Sequence, residues 1–225
     1  MSRALRHIAM LTIKDLRIEA RGRQTIGMVV VLATLIVVVL ALGLSAGTVR
    51  SGLTATAILW VAYLFGGVLV FEKTMAVERY DDALAGLLLA PIDRGAIFAA
   101  KLIANLILMF AMALVVTPVA IVLFHFDLSA APGAFALVMV LSLIGYAAIG
   151  TLFAALTSSA RMPGGFLAML VFPVTLVVVL TSTRILYQLF EHQEPLGGSG
   201  VAILIAFDVI FLIISWLVFE IVLEA

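Results

Sequence analysis

The sequence has no cysteine and few charged residues. Its 225 residues include three histidines, and Asp, Glu, Lys and Arg together make up 12%, about half the share in soluble domains. The absence of cysteine excludes disulfides, thiolate metal sites, iron–sulfur clusters and haem attachment through a C-x-x-C-H motif. So little charge cannot cover a water-exposed surface. Since 65% of the residues are hydrophobic, the sequence predicts an integral membrane protein.

Six apolar runs almost free of charge divide the chain. A bilayer core of about 30 Å needs roughly 20 apolar residues in a helix, and each run is long enough. The shorter alternating segments of a membrane β-barrel are absent. We therefore predict one all-α transmembrane domain over residues 1–225, with spanning helices at 26–46, 51–71, 102–124, 134–156, 163–183 and 201–219.

The distribution of basic residues predicts the orientation of these spans. Six Lys or Arg residues precede the first span, four lie between the second and third, and one lies between the fourth and fifth. Only Arg50 and Arg184 fall on the other side. Because lysine and arginine concentrate in cytoplasmic loops, both termini are expected in the cytoplasm. The net charge of zero gives no reason to expect a nucleic-acid partner.

Residues 1–23 are predicted to form a cytoplasmic amphipathic helix that lies at the membrane interface. Over residues 4–20, helical spacing places one apolar set of side chains on one face: Leu5, Ile8, Ala9, Ile13, Leu16 and Ala20. The opposite face carries Arg6, Lys14, Arg17 and Arg21, which are able to reach anionic headgroups. The alternative is a disordered basic tail that only sets the orientation.

Residues 72–101, between the second and third spans, are predicted to form a cytoplasmic helical elbow. Its polar face carries Glu78, Arg79, Asp81 and Asp82, and its apolar face carries Ala76, Val77, Tyr80, Leu84, Leu87 and Leu88. Pro91 should end the first helix, and Asp93 should cap a second that continues into the third span. Four acidic residues against two basic ones fit an anionic membrane poorly, so a protein partner is favoured over lipid.

The sequence offers little material for catalysis, so no enzyme activity is predicted. His125 and His192 are candidate haem contacts, although a lone loop histidine is more often solvated. Residues 67–74 partly match the phosphate-loop pattern, but Glu72 replaces its second glycine, so no ATP site is expected here.

Two polar residues, Asn105 and Asp208, lie inside predicted spans. Asp208 should lie roughly 10 Å from the outer end of its helix, turned inward toward a hydroxyl group or Arg184. It is either a proton or substrate site or a packing group.

Two stretches of the chain resemble a known family. Residues 78–91 read ERYDDALAGLLLAP and continue to Lys101 and Asn105, and residues 150–157 read GTLFAALT, followed by Arg161 and the pair Phe172–Pro173. This combination is similar to the cytochrome c maturation permease, the haem exporter protein B family, a membrane subunit of an ABC transporter. The elbow alone is shared more loosely with other ABC-2-type permeases. The resemblance implies an ABC-2-type six-helix bundle in the bacterial inner membrane.

The resemblance also implies a set of partners. A separate cytoplasmic ATPase would bind ATP and contact Glu78, Arg79, Asp81 and Asp82. Leu84, Leu87 and Leu88 would anchor the elbow to the bundle, and Pro91 would end its first helix. A second copy of the chain, other maturation subunits and a haem chaperone would complete the complex, with haem as the handled ligand. Two alternatives stay open: an ABC permease for a lipid, polysaccharide or drug, and a secondary transporter that uses Asp208 as a proton carrier.

Overall fold

A computed structural model of the chain is all-helical throughout the residues it describes. These residues are 3–22, 24–44, 52–80, 93–124, 128, 131–160, 162–163, 165–192, 196 and 198–222. The helices within them are α1 (Arg3–Gly22), α2 (Gln24–Leu44), α3 (Gly52–Tyr80), α4 (Arg94–Phe124), α5 (Pro132–Ser159), α6 (Phe166–Glu191) and α7 (Gly198–Val222). Helices α2 to α7 are long and apolar enough to cross a membrane, which confirms the predicted six-helix bundle.

Most of the spanning helices extend beyond the predicted bounds. Helix α3 continues to Tyr80 rather than ending at residue 71, and α4 begins at Arg94 rather than at residue 102. The reason is that a helix does not end where its apolar run ends, because polar residues also satisfy their backbone hydrogen bonds within it. Residues 72–80 and 94–101 of the predicted elbow thus belong to α3 and α4.

Helices α3 and α5 form the middle of the bundle. In their most apolar segments 61% and 72% of the residues are buried, against 22% in α2 and α7. The two helices approach closely because each places a glycine opposite an aromatic ring of the other. Gly67 of α3 lies under Tyr146, and Gly150 of α5 lies under Phe71, where a β-carbon would overlap the ring. The Phe71 and Tyr146 rings also pack edge to face, with their centroids 5.2 Å apart.

Helix α1 packs against α4 with a side that carries polar groups. Thr12, Asp15 and Leu16 turn toward the bundle, whereas Leu5 and Ile13 of the predicted apolar face are exposed. The predicted helix is confirmed, and polar contacts with α4 help to fix its rotation, so that Leu5 and Ile13 face away from the bundle.

Candidate functional site

The predicted elbow is bounded by the end of α3 and the start of α4. We call the end of the bundle that contains Tyr80 and Arg94 the elbow end. Asp93 caps α4, since its carboxylate oxygen Oδ1 accepts the N–H of Gly95 at 3.0 Å and its carbonyl accepts the N–H of Ala96 at 3.0 Å. The predicted cap is therefore confirmed, and it starts one helix that runs without interruption to Phe124.

Most of the predicted elbow residues lie outside the described part of the chain. Glu78 and Arg79 belong to the last turn of α3, where the backbone is described and the side chains are not. The remaining predicted contacts fall within the undescribed residues 81–92: Asp81, Asp82, Leu84, Leu87, Leu88 and Pro91. Their roles stay predictions from the sequence, while the residues on either side of them have a defined geometry.

Glu72 connects α3 to the start of α6. Its carboxylate oxygen Oε1 accepts the backbone N–H of Gly165 at 3.0 Å, across 93 residues of sequence. Gly165 precedes α6 and has a φ of 88°, a conformation that favours glycine. A carboxylate at this position satisfies an N–H near the start of α6 and interacts favourably with the positive end of the helix dipole. Glu72, predicted only as one acid of the elbow, thus holds two helices together.

Asn105 joins three helices at their elbow-end halves. The hydroxyl of Thr74 on α3 donates to Asn105 Oδ1 at 2.8 Å, and Asn105 Nδ2 donates to the hydroxyl of Thr151 on α5 at 2.9 Å. Asn105 and Thr151 are fully buried. In an apolar environment such interhelical bonds are each worth roughly 0.6–2 kcal/mol. Asn105, predicted without a role, therefore links α3, α4 and α5 through side-chain hydrogen bonds.

A buried ion pair fastens α1 to α4. Lys101 Nζ lies 2.9 Å from Asp15 Oδ2, and the two side chains are only 5% and 8% exposed. One turn before Asp15, the hydroxyl of Thr12 donates to the carbonyl of Ala100 at 3.2 Å. From the charge pattern of the sequence, Lys101 is expected only to contribute to the orientation of the chain. Its burial shows that it also positions α1 on the bundle.

The polar groups of α1 and α3 adjoin each other. A cavity of about 20 Å³ lies between them, lined in part by Asp15, Glu19, Lys73 and Thr74. This volume is about that needed for one water molecule. Thr74, which lines this cavity, also bonds to Asn105, so polar side chains follow one another from α1 to α5 with the cavity between α1 and α3.

Aromatic packing holds the start of α4 from its other side. Phe98 packs against Trp216 and Phe219 of α7, with ring centroids 6.3 and 5.2 Å away. The Trp216 ring also lies against Gly95, where a β-carbon would overlap it. The first turns of α4 therefore contact both α1 and α7, so the start of this helix is held on two sides.

Asp208 lies near the middle of the membrane-spanning part of α7. It is 5% exposed, its carboxylate lies against Gly145 of α5, and neither oxygen has a hydrogen-bond partner among the described residues. Because α7 begins at Gly198, Asp208 is roughly 15 Å from the start of the helix, which is deeper than predicted. The suggested pairing with Arg184 is wrong, since Arg184 is exposed and does not bond to it.

Only one of the two histidines predicted as haem contacts lies in the described part of the chain. His192 is exposed after α6, and its ring packs edge to face with Tyr187 at 5.1 Å. His125 lies outside the described residues. No group of three or more His, Asp or Glu side chains suited to hold a metal occurs within the described ranges. The phosphate-loop-like residues 67–74 are helical and lie within α3, so they do not form a loop that could surround a phosphate.

Comparison with known proteins gives one family match. The family model described as CcmB protein matches residues 6–224, which extends from α1 beyond the end of α7. No curated protein matches the chain.

Proposed function

Because the chain belongs to the CcmB protein family, we propose that it couples ATP hydrolysis in a separate subunit to haem delivery across the membrane. The family comprises membrane permease components of the haem-export ABC system for cytochrome c biogenesis, found in the bacterial inner membrane. In the proposed complex a cytoplasmic ATPase contacts the elbow, and two copies of this chain span the membrane. Other maturation subunits and a haem chaperone receive or carry the haem.

The observation that supports this proposal best is the set of contacts at the elbow end. Glu72 and Thr74 lie in the part of the elbow that belongs to α3. Glu72 bonds to the start of α6, and Thr74 bonds through Asn105 to α5. A displacement of the elbow by a partner would therefore act on α3, α4, α5 and α6 together. This is the arrangement that a permease needs if its energy comes from a subunit outside the membrane.

The proposed orientation places the elbow end in the cytoplasm, where ATP is available. Eleven of the 13 basic residues belong to segments assigned to this side. At the elbow end Arg17 and Arg21 are exposed, whereas Lys101 is paired with Asp15. ATP would be bound by the partner alone, in keeping with the helical conformation of residues 67–74.

The proposal is tested by changing the apolar anchor of the elbow. The double substitution Leu87→Glu and Leu88→Glu should separate ATP hydrolysis from the formation of c-type cytochromes, because a charged anchor would no longer pack on the bundle. Leu89→Glu is the control, because helical spacing places Leu89 on the polar face beside Asp82, where a further acidic side chain would not disturb the apolar anchor. We expect haem-stained c-type cytochromes to fall strongly in the double variant and to stay near normal in the control. Normal cytochrome levels in the double variant would contradict the proposal.

The haem content of the chaperone in a deletion strain distinguishes two modes of haem handling. If the chain conducts haem, its deletion should leave the chaperone without haem. If it uses ATP energy to release the chaperone, deletion should cause haem-loaded chaperone to accumulate. A deletion strain with normal c-type cytochromes would instead favour the alternative of a permease for a lipid, polysaccharide or drug.

A further inference from the structure

Helix α1 separates its acidic and basic side chains onto opposite sides. Both of its acidic residues turn toward the bundle: Asp15 pairs with Lys101 at 2.9 Å, and Glu19 Oε1 accepts the N–H of Ile26 near the start of α2 at 2.8 Å. Arg6, Arg17 and Arg21 are exposed. The acidic charges of α1 are thus compensated inside the protein, and the side facing away from the bundle is left with a net positive charge.

The side of α1 that faces away from the bundle also carries large apolar side chains. We call it the outer face of α1, and it comprises Arg6, Met10, Ile13, Lys14, Arg17, Ile18 and Arg21. Met10 and Ile13 are 51% and 48% exposed, and Ile18 is exposed as well. An open groove of about 500 Å³ is lined by Met10, Ile13, Lys14, Arg17, Ile18 and Arg21. Apolar and basic groups thus alternate along one surface.

This surface fits the boundary between lipid headgroups and acyl chains. Exposed methionine and isoleucine side chains are unfavourable in water, and arginine and lysine keep their charges hydrated or paired with phosphate while their stems lie along apolar material. Helix α1 lies beside the first turns of α4, which precede the apolar run of that helix. This is the level at which the membrane boundary is expected. Lys14 lies 3.2 Å from Asp15, so Arg17 and Arg21 carry most of the uncompensated charge.

We propose that the outer face of α1 binds anionic phospholipid headgroups at the elbow end of the bundle. The interaction is separate from the ATPase coupling proposed above, because none of the residues on the outer face belongs to the elbow. Each basic residue close to an anionic surface should favour its binding there by roughly fivefold. The acidic residues turned inward make this attraction possible, since on the outer face they would cancel it.

Fluorescence quenching in nanodiscs tests this proposal with the full chain. Because the protein lacks cysteine, Met10→Cys introduces a single site for a fluorophore on the outer face. The nanodiscs contain equal amounts of phosphatidylglycerol and phosphatidylcholine, and only one of the two lipids carries brominated acyl chains. Leu114→Cys is the matched control, because Leu114 is 77% exposed in the middle part of α4, away from the basic residues.

We expect the brominated anionic lipid to quench the Met10 position roughly threefold or more better than the zwitterionic lipid. This preference should disappear at about 0.5 M salt and in the Arg17→Gln, Arg21→Gln variant. The Leu114 position should be quenched equally by both lipids, which also shows that each variant is inserted. Equal quenching of Met10 by both lipids would overturn the proposal. Absence of quenching by either lipid would overturn it too, since the face would then contact water or a protein partner.

Discussion

The ion pair between Asp15 and Lys101 provides a quantitative test of how α1 is held. The substitution Asp15→Asn removes the carboxylate that pairs with the ammonium group of Lys101, a side chain that is only 5% exposed. Breaking a buried pair in this way costs about 3–5 kcal/mol. The other polar contacts of α1 with the bundle, such as the one between Thr12 and Ala100, are each worth about 1 kcal/mol. We therefore expect α1 to detach locally while the bundle remains folded.

Cysteine accessibility measures this detachment. In the cysteine-free chain, Leu11→Cys places a thiol at a partly buried position of α1, and Ile13→Cys places one at an exposed position of the same helix. A loss of 3–5 kcal/mol should raise the detached population and the maleimide labelling rate at Leu11 roughly a hundredfold or more, up to the rate at Ile13.

A double substitution separates charge burial from general damage to the helix. Asp15→Leu combined with Lys101→Met removes both charges and should restore slow labelling at Leu11, because no charge is left buried. Arg184→Gln changes an exposed basic residue far from α1 and should have no effect. An unchanged labelling rate at Leu11 in Asp15→Asn would show that the ion pair does not hold α1. A double variant as accessible as the single one would show that charge burial is not the cause of the detachment.

Three further substitutions test other contacts. Asn105→Leu should lower thermal stability by about 1–3 kcal/mol and reduce c-type cytochrome formation while ATPase binding persists, since the link between α3 and α5 is cut; Thr151→Val, which removes one bond, should have a smaller effect on both measurements. Gly165→Ala should cost about 1–2 kcal/mol in thermal unfolding because its φ is 88°, whereas Gly133→Ala, in open space, should be neutral. Asp208→Asn should leave c-type cytochrome formation near normal if ATP supplies the energy. If the substitution abolishes cytochrome formation in a strain where the ATPase is dispensable, proton-driven transport is favoured instead.

The spanning helices, α1 and the Asp93 cap were predictable because each has a local signal. A charge-free run of sufficient length, a 3.6-residue periodicity and an aspartate just before a helix are all visible in a short window of sequence. The family was also evident from the combination of the elbow and the residues from Gly150 to Arg161.

The contacts at the elbow end were not predictable from local patterns. Glu72 meets Gly165, Lys101 meets Asp15, and Asn105 meets side chains from two other helices. These pairs depend on how the helices are rotated and packed against one another, which hydrophobic periodicity does not specify in a chain that is apolar on nearly all sides. For Asn105 the sequence does carry a signal, a polar residue in an apolar run, which indicates importance without naming its partner.

Cross-linking from the elbow in native membranes would show whether an ATPase binds there. The variant Asp82→Cys would carry a photo-activated thiol cross-linker on the predicted polar face of the elbow, and Arg184→Cys would carry the same reagent at the opposite end of the bundle. We expect an adduct between the Asp82 position and an ATP-binding subunit, and none from the Arg184 position. Absence of an ATPase adduct at Asp82, in membranes that still produce c-type cytochromes, would contradict the proposed coupling through the elbow.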